Sequence, residues 1–259
     1  SPRPSAASRW PATGRSGGSP TCGRSPARWP RGPDEVVRYS LSQFAAIFRL
    51  RDAAGRPFIL IGGQAVNYWA ERYLPTEPAL QEFLPFTSED IDFQGQREDV
   101  RRIAEQLKQS PVYPHPVALT ALASAVTFRI GNVKSSVEIV RRVPGVSAAA
   151  LEALAVEAEW AGQKIRVLDP ISLLVGKVEL ALTLAQASRR DAEHVKILVH
   201  CVRGFLGEFL AGVEAGELPV KGWLGAVNRV VKLAASTHGR QAGKRLALDW
   251  KATLPLAAI

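Results

Sequence analysis

Three carboxylates and two glycines have the types and spacing for metal-assisted chemistry on a phosphate. Asp90 and Asp92 lie in Ser88-Glu-Asp-Ile-Asp-Phe93, a segment that alternates polar and apolar as a strand does. Side chains two apart on a strand share a face, so the two aspartates point together, with Ile91 and Phe93 on the other side. Glu138, between Val137 and Ile139, would project likewise from a neighbouring strand. Three carboxylates converging on one point repel one another and stay ionised only if a cation neutralises them. Oxygen donors without Cys or paired His favour Mg²⁺ or Mn²⁺ over zinc. Gly62-Gly63 follows the apolar run Pro57-Phe-Ile-Leu-Ile61 and precedes helical sequence. A turn without side chains at a helix N-terminus lets backbone amides approach a phosphate closely. Carboxylates for metal beside a cradle for phosphate imply nucleotide chemistry. In it two metal ions bind the attacking and leaving oxygens while the protein positions and neutralises.

These residues need elements to hold them. Val36 to Leu50, with Val37, Leu41, Phe44, Ala45 and Phe48 at helical spacing, predicts an amphipathic helix. Residues 57–61 read as a strand buried on both faces, and Ala65, Val66 and Trp69 as the inner face of the helix after it. Tyr73 to Phe86, with Pro75, Pro78 and Pro85, reads as a long loop. A helix over 98–109 follows the Asp-x-Asp segment, with Val100, Ile103, Ala104 and Leu107 inward. After a Pro-rich turn at 111–116, strands over 124–130 and 134–140 are joined by Gly131-Asn132. Ser147 caps an Ala-rich helix, and a second hairpin turns at Ala161-Gly162 between 156–160 and 164–168. From Asp169-Pro170 onward everything is helical, about 171–187, 189–212 and 221–236. The expected architecture is α/β (α+β): a mixed sheet with flanking helices over 34–168, then a C-terminal helical domain over 169–259.

Composition narrows the setting. A chain of 259 residues, 46% hydrophobic, has ample apolar mass for a core. Cys22 and Cys201 can make at most one bridge, which excludes a disulfide-built scaffold. No run approaches the roughly 20 apolar residues of a membrane span, and the first residues lack the apolar h-region expected of a secretory signal. The expectation is a cytoplasmic protein with no membrane partner. The net charge of +9 sits at the two ends. Residues 1–33 carry six Arg and no acid, and residues 220–259 carry seven cations against Asp249, leaving a mildly acidic middle. The first 33 residues, mostly Ser, Pro, Gly and Arg, predict a disordered basic tail, either an RNA-contacting arm or an extension foreign to the folded protein.

Ile-Gly-Gly-Gln-Ala-Val-Asn-Tyr-Trp-Ala at 61–70, Thr-Ser-Glu-Asp-Ile-Asp-Phe at 87–93, the element around Glu138, and Pro170 to Lys177 resemble the DNA polymerase beta type nucleotidyltransferase superfamily. Within it they are most similar to the bacterial group related to AbiEii abortive-infection toxins. The resemblance spans roughly residues 55–210 and omits both basic ends. It implies a nucleotidyltransferase-like sheet and transfer of a nucleoside monophosphate from an NTP to an acceptor hydroxyl. It further implies that Gly62, Gly63 and Ser88 hold the nucleotide, that Asp90 and Asp92 ligate both metals, and that Glu138 is the third carboxylate. Lys177 matches a lysine expected near the nucleotide phosphates. Asp191 matches the acid of a downstream Lys-Asp element, with Arg190 in place of the lysine and His194 where the toxin pattern has a second acid. The implied partners are an RNA or tRNA acceptor and a cognate antitoxin, in toxin–antitoxin or phage-defence biology; a protein or small-molecule acceptor is the other option.

Plainer readings stand beside these. Glu138 alone could be an edge carboxylate paired with Arg129 or Arg141, and Lys177 could be a snorkelling lysine. His115, His194, His200 and His238 read as structural or solvated, with His238 after the last helix. The helix at 221–236 places Trp223, Leu224, Val227, Val230, Val231 and Ala234 on one arc and Lys221, Asn228, Arg229 and Lys232 opposite. That cationic face is either an ordinary solvated surface or a contact for an RNA backbone. The alternative to an enzyme is a non-catalytic module of the same fold that binds nucleic acid or a protein.

Overall fold

A computed structural model describes residues 37–114, 121–187 and 189–255. The expected basic tail, Cys22 and His115 lie outside the described residues. Among them, seven strands form one mixed sheet: β1 (Ile59–Ile61), β2 (Ile91–Gln94), β3 (Pro111–Val112), β4 (Leu122–Ile130), β5 (Val133–Val140), β6 (Ala155–Trp160) and β7 (Gln163–Leu168). Their order across the sheet is β3-β4-β5-β2-β1-β7-β6. The two predicted hairpins are both present, turning at Gly131-Asn132 and Ala161-Gly162. The pair at 161–162 takes positive φ at both positions, the left-handed pair that matches strand twist. The centre is assembled non-locally, since β1 runs antiparallel to β2 and parallel to β7, and β2 runs parallel to β5.

Helices α1 (Gly62–Tyr73), α2 (Arg97–Leu107), α3 (Ala148–Leu154), α4 (Pro170–Thr183), α5 (Asp191–Glu214), α6 (Val220–Ala235) and α7 (Thr237–Leu246) flank the sheet or follow it. Ser147 caps α3 by accepting from the Ala150 amide, and Asp169 caps α4 by accepting from the Ile171 and Ser172 amides, as the sequence predicts. Trp69, fully buried on α1, stacks on Tyr73 at 5.8 Å and meets Phe205 of α5 edge-on. Its indole donates to the Leu168 carbonyl at 2.8 Å, tying α1 to the end of β7. One buried cluster runs from the sheet through α1 into α4 and α5. These contacts fix α1 against the end of β7 and against α5.

Several expectations change. Residues 41–49 form a 3₁₀ helix rather than an amphipathic α-helix. Its buried Leu41, Phe44 and Ile47 are three apart, a spacing that three residues per turn brings into line. The loop at 73–86 contains a 3₁₀ turn over Pro78–Phe83. Thr237–Leu246 is a helix that the sequence reading missed, so His238 lies within a helix rather than after the last one. Its polar, glycine-bearing sequence has no apolar period, and it is held by the Ser236 cap, which accepts from the Gly239 amide at 2.9 Å.

Helix α6 is turned relative to the predicted arc. Ala226, Val230 and Leu233 are buried, Leu224 and Val231 face solvent, and Arg229 points inward. The Arg229 guanidinium lies 3.1 Å from Asp169 and donates to Ser172, so it neutralises the buried cap of α4. It is not part of a free cationic face.

Candidate functional site

The site forms where β1, β2 and β5 reach the N-terminus of α1. The register puts Ile61, Asp92 and Glu138 side by side across the three strands. Alternation then buries Ile91, Phe93, Val137 and Ile139 on one face and turns both acids to the other. Asp90 stands just ahead of β2 rather than within it. Its loop is held from several sides. Tyr39 and Ser88 exchange backbone hydrogen bonds of 2.8 and 2.9 Å, the Ser135 hydroxyl donates to the Glu89 carbonyl, and Arg190 donates to the Thr87 carbonyl. The Ser88 hydroxyl reaches Asp90 at 3.5 Å. One carboxylate oxygen from each of Asp90, Asp92 and Glu138 lies within 4.8 Å of the other two.

Such proximity is uncomfortable without a cation. Burial, and then the neighbouring charges of Asp90 and Glu138, push the Asp92 carboxyl well above the carboxylate range. Burial also raises Asp90, although Lys177 acts against it. Glu138 is pushed up to about 7 by burial and by Asp90. Among the described residues Glu138 has no ion pair, and Arg129 instead donates to the Asn132 carbonyl, so the plain edge-strand pairing with Arg129 is not formed. Oxygen donors alone, half-buried and mutually repelling, fit a hard divalent cation such as Mg²⁺ or Mn²⁺.

The glycines do more than leave room for a ligand. Gly62 has φ +67, and a Cβ there would sit 1.8 Å from an Asp92 carboxylate oxygen. A Cβ on Gly63 would sit 2.4 Å from the Ser88 hydroxyl, and the Gly63 amide hydrogen-bonds Asp92. The helix start is therefore pressed directly onto the acids. Gly62→Ala is expected to displace Asp92 and weaken divalent-cation binding by roughly 10–100-fold, the usual effect of disturbing a ligand's support. Titration calorimetry with Mg²⁺ checks this, and an unchanged affinity would refute the packing argument.

Lys177, on α4, is nearly buried and donates to Asp191 at 2.7 Å, while Arg189 donates to the other Asp191 oxygen at 2.6 Å. Burial alone would raise the Asp191 carboxyl, but Lys177 and Arg189 outweigh it and hold it below its ordinary value. Lys177 is thus an internal partner of Asp191 whose charge also reaches Asp90 and Asp92. It is not a snorkelling surface lysine. The sequence-derived set of Gly62, Gly63, Ser88, Asp90, Asp92, Glu138, Lys177 and Asp191 is brought to one place. A polar cleft of about 210 Å³ is lined by all of these except Gly62, and an apolar-walled chamber of about 440 Å³ opens beyond Asp92, Glu138 and Lys177.

The sequence reading left out Arg38, Thr87, Glu89, Arg189, Arg190 and His194 of the cleft wall as site members. His194 is buried, and neither ring nitrogen has a hydrogen-bond partner among the described residues. Burial, then Lys177 and Arg190, keep its pKa well below 6.5. The signal that could have found it is its place three residues after Asp191, on the same helical face.

No family model matches the sequence, and no curated protein matches it. Among solved structures, the chain is similar to an antigenic nucleotidyltransferase-like protein from Paracoccidioides brasiliensis. The two share 14% identity with a TM-score of 0.46, over 86% of this chain and 99% of the other.

Proposed function

We propose that this chain is a divalent-metal-dependent nucleotidyltransferase. The observation that carries the reading is the cluster of Asp90, Asp92 and Glu138, with one oxygen of each within 4.8 Å, set against the glycine start of a helix. Asp90 and Asp92 would hold Mg²⁺ or Mn²⁺, with Glu138 as the third ligand. When bound, such ions lower the charge on the phosphates and on the oxygens that enter and leave.

The chain's own residues then divide the work. The start of α1 and the Ser88 hydroxyl line the polar cleft where the phosphates of an NTP would lie. Lys177 and Arg189, shared by cleft and chamber, offset negative charge at the boundary. The apolar-walled chamber beside Glu138 receives the acceptor, or the nucleoside. The acceptor hydroxyl attacks the α-phosphorus, the bond to the β-phosphate's bridging oxygen breaks, and pyrophosphate leaves. The hydroxyl proton passes to a carboxylate of the cluster or to solvent.

RNA is the favoured acceptor because Lys232 and Lys244, on α6 and α7, are exposed and without ion pairs among the described residues. The test is transfer of label from each α-labelled NTP, with Mg²⁺, to RNA, to protein and to small hydroxyl compounds. Label should move to one acceptor class with stoichiometric pyrophosphate. Absence of transfer, together with absence of Mg²⁺-dependent NTP binding, would replace the enzyme with a non-catalytic binding module.

A further inference from the structure

His194 stands out in the cleft for what it lacks. Each cation around it is already committed. Lys177 and Arg189 share Asp191, Arg190 pairs with Glu193 at 2.5 Å, and Arg38 pairs with Glu89 at 3.4 Å. By contrast, both nitrogens of the buried His194 are without hydrogen-bond partners among the described residues. A buried donor left unpaired is unfavourable, and native proteins rarely keep one without a use for it. Burial and the cations nearby keep the ring neutral, so it carries one N–H and one lone pair.

The ring also faces the right place. Its Cε1 lies 3.4 Å from the point where a Gly63 side chain would begin, beside the Ser88 hydroxyl. The terminal torsion of histidine is broad and roughly two-fold. A half turn about it exchanges Cε1 with Nε2 and sets a nitrogen against Gly63, at the helix start. An ionised phosphate oxygen accepts hydrogen bonds and offers none, so it engages the N–H and not the lone pair.

We infer that His194 is a phosphate-positioning residue: a neutral imidazole whose N–H turns toward the α1 N-terminus and binds a non-bridging oxygen of a polyphosphate. This rests on the nucleotide reading of the cleft and names the contact that the committed arginines and lysine do not supply.

The test uses the whole chain with inorganic tripolyphosphate and Mg²⁺ as the probe. His194→Phe removes the donor and keeps a ring, and His194→Gln restores an N–H. Calorimetry should show binding about tenfold weaker for His194→Phe and within about threefold of wild type for His194→Gln. The melting temperature of unliganded His194→Phe should not fall, because an unsatisfied polar group has been replaced by an apolar one. Equal affinity in His194→Phe, or equal loss in both variants, would overturn the inference and leave the nucleotide reading intact. A wild type that binds neither tripolyphosphate nor NTP would remove both. If His194→Phe does not fold, the ¹⁵N resonances of the His194 ring in wild type decide. A shift on addition of the probe supports the contact, and unmoved signals refute it.

Discussion

Asp92→Asn is expected to abolish nucleotidyl transfer and, in metal-free buffer, to raise the melting temperature. Asp92 sits at the centre of the row, between Ile61 and Glu138, with Asp90 beside it. Removing its charge takes away a shared ligand, and with it several kcal/mol of charge stabilisation in the transition state, a loss of about a thousandfold or more in rate. The same change removes the group that burial, and then the charges of Asp90 and Glu138, push into the raised range. A gain of 1 kcal/mol moves the midpoint by roughly 2–4 °C in a chain of this size.

The effect has a pH signature. Folding raises Glu138 from its ordinary 4.5 to about 7, so within that interval the folded chain holds a proton that the unfolded chain releases. Its contribution to stability is fully present below the unfolded value and declines as the pH rises toward about 7. Mg²⁺ binds the ionised carboxylates, so its stabilising effect should grow across the same window. Thermal melts on either side of the interval, with and without Mg²⁺, measure all of this. A variant that melts below wild type without metal would show that the Asp92 charge supports the fold rather than straining it.

Asp191→Ala is the other large effect, and it acts through the fold. Asp191 is 2% exposed and is the ion-pair partner of Lys177, itself 9% exposed, while Arg189 takes its second oxygen. Truncating it leaves a buried ammonium without a counter-charge, which costs about 3–5 kcal/mol. The midpoint should fall by roughly 10 °C. Replacing both members, Lys177→Met with Asp191→Leu, should recover most of that loss, because an apolar pair of similar volume needs no desolvation of charge. The double variant should still lack transfer activity, since the positive charge at the boundary of cleft and chamber is gone. If single and double variants melt alike, the pair is not what holds this wall in place.

Much of this arrangement is legible in the chain because local rules decide it. Period-two alternation turns Asp92 and Glu138 to one face, Gly131-Asn132 and Ala161-Gly162 close hairpins, and Asp169-Pro170 starts a helix. Asp90 falls outside the strand yet joins the cluster, because Tyr39, Ser135 and Arg190 pin its loop from distant parts of the sequence. What local patterns do not contain is partner choice. Nothing around residue 92 says that β2 lies between β1 and β5, and nothing around residue 229 says that its guanidinium belongs to Asp169. On α6 the half-buried Arg229 turns toward Asp169 while Leu224 and Val231 are left exposed. His194 reads as structural in the sequence because its spacing from Asp191 shows a shared helical face but not that the ring is buried without a partner in the cleft wall.

The parallel pairing of β1 with β7 has a consequence for how the protein is made. Ile59, Leu60 and Ile61 are buried throughout, yet Ile59 pairs with Arg166, about a hundred positions later in the chain. At roughly 5–20 residues per second of synthesis, the newly made strand waits on the order of ten seconds for that neighbour to leave the ribosome. During that time its apolar face and one backbone edge are open to other chains. The carboxylate cluster is likewise incomplete until Glu138 has been added, and the Lys177–Asp191 wall comes later still. A nascent chain therefore carries Asp90 and Asp92 without Glu138, and the cluster and its wall are complete only after the sheet and its fifth helix have closed.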